Sequence, residues 1–269
     1  MPFFTPLYVK EKVYSLLFHV HQDVFYKYLP RPLAAFAAIL ENRIMPYAYN
    51  KSKFITISES SRSDMQKLDL KTEIEIIFPG VDLASMAPGE KSPDPTILYL
   101  GRLKGYKSVD VLIKSFKKIL GKVNRAKLLI AGDGEEKGAL KKLAEELGIT
   151  SSIEFLGRVT DSEKISLMQK AWVFVNPSMT EGWGITTIEA NACGTPVVAA
   201  DVPGLRDSVR NPHTGYLVMH GDSNAMAVKL VELLENDNLR EEMSRNAIEW
   251  ARNFDWQKSA NKFNELLHA

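Results

Sequence analysis

NPSMTEGWGITTIEANACGTPVVAADVPG, residues 176–204, decides how this chain reads. It grows out of WVFVNPS (172–178), which reads as a buried strand, and runs into VVAA (197–200), which reads as the next one. Between them a glycine-rich loop leads into a helix. Strand, loop, helix and strand in that order form the repeating piece of a parallel α/β sheet, and open parallel sheets take ligands at the carboxyl ends of their strands. Glu181 sits in that loop, and Gly182 and Gly184 let backbone come close to a ligand. Their amides, with those of Ile185 and Thr186, fall where the helix begins, and the unpaired N–H groups and dipole there suit an anion such as phosphate. Glu189 follows eight residues after Glu181, about one turn into the helix, where a carboxylate can accept two hydrogen bonds from a ribose diol. The plainer reading is a glycine turn capped by Glu181, with Glu189 in solvent.

Outward from this stretch the same grammar repeats. TILYL (96–100), KLLIA (127–131), SIEFLG (152–157) and YLV (216–218) read as further strands. SVDVLIKSFKKIL (108–120) places Val109, Leu112, Ile113, Phe116 and Leu120 at helical spacing. A helix ending near Gly148 follows GDGEE, and Thr160 with Glu163 forms a capping box for another, to Lys170. Continuous apolar strands between amphipathic helices predict a doubly wound, Rossmann-like domain. The first 80 residues show a shorter version: strands at 13–18, 53–58 and 73–78, a mostly buried helix at 32–49 and a helix at 59–68. Pro79-Gly80 places a boundary near Gly80, and 255–267 reads as a terminal helix. The expected domains are 1–80, 81–254 and the helical segment 255–269.

Composition excludes several classes. The chain has 269 residues, with 34 Lys and Arg against 33 Asp and Glu, so a net charge of +1 gives no field for nucleic acid. One cysteine, Cys193, excludes a disulfide framework and a cysteine-based zinc site. The longest apolar runs, such as LAAFAAIL at 33–40, fall far short of the roughly 18 residues of a membrane span. MPFFTPLYVKEK lacks the parts of a signal peptide, so the expectation is a soluble, cytoplasmic protein. No HExxH, Asp-x-Asp, Walker loop or G-x-S-x-G elbow occurs, and no metal site is expected.

Two further motifs carry chemistry. In GRLKGYK (101–107), Arg102 and Lys107 bracket a glycine loop at the same sheet edge, and a guanidinium and an ammonium together can neutralise a diphosphate. The plainer reading is the start of a basic helix face, since Lys114, Lys117, Lys118 and Lys122 follow. AGDGEEKG (131–138) has the form G-x-G-x-x-x-G, with Arg158 twenty residues beyond Gly138, and keeps an NADP-dependent oxidoreductase open. Against it stand its place in the second βα turn and the plain alternative of a tight turn. His19 and His21, in FHVHQD, lie on opposite faces of any continuing strand and are poor joint metal ligands.

With GRLKGYK and EGWGITTIEANACGTPVVAADVPG both present, the chain resembles the family-4 retaining glycosyltransferases of the GT-B fold, well over 80–260 and weakly toward the start through FHVHQD, ITISESS and IIFPGVD. Glu181 and Glu189 match the family's E-x7-E pattern; Trp183 stands where Phe is usual. The resemblance implies a complete C-terminal nucleotide-sugar-binding domain and an N-terminal, acceptor-side Rossmann-like half that lacks its first part. It implies that Glu181 meets the donor sugar, Glu189 the ribose, and Arg102 and Lys107 the diphosphate, helped by amides at Gly184 to Thr186. Gly101, Gly182, Trp183, Gly184, Ile185, Thr186 and Glu189 complete the donor side, with the backbone of Arg158 and Val159 at the base. His19 lines the sugar side of the cleft, with His21 as the alternative. FDW (254–256) is similar to the segment before the terminal helix, which in the family crosses back to the N-terminal domain.

The reaction so implied moves a sugar from a nucleotide-sugar donor to the hydroxyl of a carbohydrate, lipid-linked or other acceptor, with retention, no metal and no cofactor beyond the donor. No side chain is an obvious nucleophile, which fits attack on the leaving-group face. Peripheral association with the cytoplasmic face of a membrane is compatible with this reading. So is a partner chain that supplies the absent N-terminal half, or a Met1 internal to a longer frame. A nucleotide-sugar-binding fragment without transferase activity and, more remotely, a GT-B epimerase remain as alternatives.

Overall fold

A computed structural model describes residues 4–18, 20, 25–26, 29–68, 70 and 72–268. The chain divides into two compact units, Met1–Phe78 with Asn261–Ala269, and Pro79–Ala260.

In the first unit β1 (Tyr14–Leu16), β2 (Lys53–Thr56) and β3 (Ile74–Ile76) form a parallel sheet in the order β1-β2-β3, each shorter than its apolar run. The long helix expected at 32–49 is α1 (Arg31–Ile39), a π-helical turn (Leu40–Ile44) and α2 (Met45–Ala48) in succession. Pro46 has no N–H to give to the carbonyl four residues back, and the widened turn lies just ahead of it. α3 (Glu59–Gln66) opens at Ser58, whose Oγ accepts from the Ser61 amide at 3.1 Å. Met45, Tyr49, Phe54, Met65 and Leu68 form the small core.

The second unit holds six parallel strands: β4 (Thr96–Leu100), β5 (Lys127–Ala131), β6 (Ile153–Gly157), β7 (Val173–Asn176), β8 (Val197–Ala200) and β9 (Gly215–Val218). Their spatial order, β6-β5-β4-β7-β8-β9, is 3-2-1-4-5-6 counted from β4. The direction of winding reverses between β4 and β7, and that is where such sheets open a ligand crevice. The crossover helices are α4 (Val109–Leu120), α5 (Lys137–Glu146), α6 (Asp161–Lys170), α7 (Ile185–Ala192) and α8 (Pro203–Ser208). α9 (Ser223–Glu235), α10 (Asp237–Ala251) and α11 (Trp256–His268) close the chain. Val109, Leu112, Ile113 and Phe116 of α4 are buried as their spacing predicts; Ile119 takes the last buried place and Leu120 only flanks it. The capping box of α6 is present, with Glu163 N on Thr160 Oγ1 at 3.3 Å and Thr160 N on Glu163 Oε2 at 2.7 Å.

The boundary lies at Phe78, ahead of the expected Gly80. A Cβ on Gly80 would stand 2.3 Å from the Trp256 amide nitrogen, and the Val81 amide donates to Phe254 O at 2.9 Å. These contacts draw Pro79, Gly80 and the start of α11 into the second unit, which extends to Ala260 rather than 254. The rest of α11 serves the first unit: Tyr14 Oη donates to Leu266 O at 3.0 Å, and Lys262 Nζ to Ile76 O at 2.7 Å.

Candidate active site

The loops that leave β4 and β7 face each other at the winding reversal and are joined twice. The Met179 amide donates to Tyr106 O at 2.8 Å, and Lys107 Nζ meets Glu181 Oε1 at 2.5 Å. That ion pair is sheltered, with side chains 14% and 17% exposed. The same carboxylate oxygen accepts from Ser178 Oγ at 3.1 Å and Asn176 Nδ2 at 3.4 Å, both buried residues at the end of β7. Glu181 is thus a held carboxylate, not a loose turn cap. Tyr99 Oη donates to Arg102 O at 2.9 Å; burial first, then the charge of Glu181, raises this phenol well above its ordinary range. The Arg102 guanidinium reaches Tyr106 Oη at 3.0 Å and has no carboxylate partner among the described residues.

The second half of the deciding stretch folds onto the first. A Cβ on Gly204 would lie 2.4 Å from Glu181 O, so α8 supports the loop directly from below. Gly184, at φ 73, precedes α7 and leaves its first turn without a side-chain cap. The amides of Ile185 and Thr186 therefore stand at an open helix start beside Glu181 and Lys107. Glu189 is buried rather than solvated, and its Oε1 accepts from Lys164 Nζ of α6 at 2.8 Å. Burial pulls the Lys164 ammonium down, but Glu189 and Asp161 outweigh it and hold its pKa above the ordinary value. Lys164 was not among the residues singled out in the sequence; its position in the second turn after the Thr160 cap is the signal that marks it. Asn176 and Ser178 were missed for a plainer reason, since they read simply as a strand end.

The structure also describes Trp183 and the AGDGEEKG glycines. Trp183 is 3% exposed and packs edge-on to Phe254 at 5.1 Å, which packs in turn on Trp250. A large aromatic gains more by entering this core than by lining a wet loop. The first two glycines of AGDGEEKG, Gly132 and Gly134, serve the tight turn that is the plainer reading of this motif. Gly132 at φ 140 would put a Cβ 1.8 Å from Gly101 O, and Gly134 at φ 159 would put one 2.2 Å from Leu103 O. They let the β5 exit brace the β4 exit, with Leu103 N on Asp133 O at 2.9 Å, and leave no cradle for an NADP pyrophosphate. The Gly132 amide reaches Gly157 O at 2.6 Å, which ties in the end of β6, where Arg158 is exposed and Val159 half-buried. Gly101 thus lies at one end of a run of three braced strand exits. His19 and His21 lie outside the described residues.

The loops that leave β4 and β7 thus bring Arg102, Lys107 and Glu181 together beside the start of α7, with Glu189 further along that helix. The family model for glycosyl transferases group 1 matches residues 83–250. The chain belongs to that family. Among curated glycosyltransferases, a phosphatidyl-myo-inositol mannosyltransferase of Mycobacterium leprae is 37% identical over 187 residues, covering 68% of this chain and 49% of its own. A D-inositol 3-phosphate glycosyltransferase of Corynebacterium efficiens is 33% identical over 212 residues, 72% of this chain and 50% of its own. The chain thus spans about half the length of these relatives. Among solved structures, sucrose-phosphate synthase from Thermosynechococcus elongatus superposes with TM-score 0.84 at 21% identity, over 97% of this chain and 68% of the other. Anabaena Alr3699/HepE in complex with UDP and glucose gives 0.80 at 20%, over 97% and 72%. These likenesses place the chain in the GT-B fold.

Proposed function

We propose that this group 1 glycosyltransferase moves a sugar from a nucleotide-sugar donor to an acceptor hydroxyl with retention at the anomeric carbon, and without a metal. The observation that carries the reading is the Lys107–Glu181 pair, set beside Arg102 and the open start of α7 at the winding reversal. Transfer builds charge on the departing diphosphate, and preorganised cations and amides are the means of stabilising it. Arg102 and Lys107 take that charge, Glu181 orders the sugar hydroxyls, Glu189 the ribose, and the backbone at Arg158 and Val159 faces the base. The second unit holds the donor. The first unit is assigned the acceptor side. The positive charge comes from side chains; among the described residues no three His, Cys, Asp or Glu are grouped to hold a metal.

The curated relatives are named for inositol phosphate and phosphatidylinositol, which favours a polyol acceptor, lipid-linked or free, met at the cytoplasmic face of a membrane. No helix among the described residues is long and apolar enough to cross one. The second reading is a donor-binding chain that transfers only with a partner supplying more of the acceptor side. Among the described residues β1 ends the three-stranded sheet, and a terminal strand can pair with another chain, which supports it. The test is incubation with labelled UDP-, GDP- and ADP-sugars and inositol acceptors in EDTA, with the product anomer read by NMR. Retained product supports the first reading, and donor binding without product the second. A strict metal requirement or an inverted product overturns the mechanism.

A further inference from the structure

Ser108 directly follows Lys107 and opens α4 in the left-handed region, at φ 51 and ψ 37. Among the described residues only Phe4 shares a positive φ without being glycine. Such a backbone is disfavoured for any residue with a Cβ and persists only where its surroundings impose it. Ser108 also gives up the usual role of a serine at a helix start, since its side chain makes no capping bond to the first turn. Its Oγ instead lies 2.9 Å from His220 Nε2, 112 residues further along the chain. Ser108 is 7% exposed, so the bond is sheltered. His220 belongs to the turn between β9 and α9, and that turn is fixed against α4 from the other side: Lys118 Nζ donates to Ser223 Oγ at 2.7 Å and to Asn224 Oδ1 at 2.5 Å. This turn thus meets the hydroxyl of the residue that follows the site's sheltered Lys107.

We propose that His220 is a positioning residue for the donor site: its bond to Ser108 keeps the 105–108 turn in its left-handed exit and so aims Lys107. The proposal rests on the reading of Lys107 as a diphosphate ligand. His220 itself touches no reacting group. The bond couples β9, at the far edge of the sheet, to the loop that leaves β4.

The experiment uses the full 269-residue chain and isothermal titration with UDP, GDP and ADP and their parent nucleosides. His220→Ala should weaken the tightest-binding diphosphate by about tenfold, the scale of one hydrogen bond, and leave nucleoside affinity unchanged. His220→Gln, which can still present a nitrogen to Ser108, should retain most of the affinity. Ser108→Gly in the His220→Ala background should restore diphosphate binding, because glycine takes the left-handed turn without needing to be held. Thermal melts of each variant separate a local change from general unfolding, and His220→Gln carries the comparison if His220→Ala does not fold. Unchanged diphosphate affinity in His220→Ala, where Lys107→Ala does weaken it, overturns the positioning role. So does failure of Ser108→Gly to rescue, or an equal loss for nucleoside and diphosphate. If Lys107→Ala has no effect, or no diphosphate binds, the donor-site reading itself fails and this proposal falls with it.

Discussion

Two half-buried lysines in the second unit meet opposite circumstances. Lys164 has Glu189 at 2.8 Å. Among the described residues Lys91 meets the Thr195 hydroxyl, at 2.7 Å, and no carboxylate, and burial pushes its pKa down to about 8. Between that value and the ordinary lysine value the unfolded chain holds a proton that the folded chain has released, so stability rises with pH across this window. Cys193 works against it from about pH 9, because burial pushes its thiol up to about 11 and the folded state then holds the extra proton. The clean window is therefore pH 7.5 to 9. There the stability advantage of Lys91→Met over the wild type should shrink steadily in urea titrations; a constant difference would show that Lys91 is not desolvated. For the other pair, Lys164→Met should cost about 1–3 kcal/mol by leaving Glu189 buried without its partner. Lys164→Met with Glu189→Gln should recover much of that loss. Equal losses in the single and double variants would mean the two side chains do not interact.

At the scale of elements, the glycines that matter are those that bring one strand exit against the next. Gly132→Ala must both leave φ 140 and displace a carbonyl 1.8 Å away, so it should cost more than about 2 kcal/mol in chemical denaturation. Gly138→Ala, in the same motif, meets nothing within 4 Å and should be neutral or slightly stabilising. Similar effects for both would undo the bracing argument. Trp183 divides in the same way: Trp183→Phe keeps the edge-on contact with Phe254, whereas Trp183→Ala should cost about 3–5 kcal/mol, and comparable melting temperatures would contradict its place in the core. The sequence carried the six strands of this unit and both glutamates because each announces itself locally, by an apolar run, a cap or a glycine loop. It did not reveal what the glycines of 131–138 are for, because a glycine that admits a neighbouring carbonyl and one that admits a phosphate have the same spacing. Nor did it reveal Lys164, His220 or the burial of Trp183, which depend on residues far away in the chain. The caps of α9 and α10, at Asp222 and Asn236, were legible but unused.

At the scale of the molecule, the two units differ in how much apolar surface they enclose. β4, β7 and β8 are almost wholly buried, while the first unit leaves Leu16, Phe36 and Tyr47 more than half exposed. Hydrogen exchange should accordingly find amides of β1–β3 opening far more readily than those of β4, β7 and β8; equal protection would mean that the chain opens only as one body. The strand order of the second unit places the Lys107–Glu181 pair where two loops of opposite winding meet. Lys107 and Glu181 satisfy each other here, so on the donor-site reading a ligand must part them. On that reading, an anion that draws Lys107 away would leave Glu181 with its two neutral donors, Ser178 and Asn176, and a sugar that takes Glu181 would release Lys107 for an anion. The cost of separating them is incurred once, whichever half arrives first. Recognition becomes a conjunction: a free sugar and a nucleoside diphosphate, each weak alone, should raise one another's affinity by the same factor.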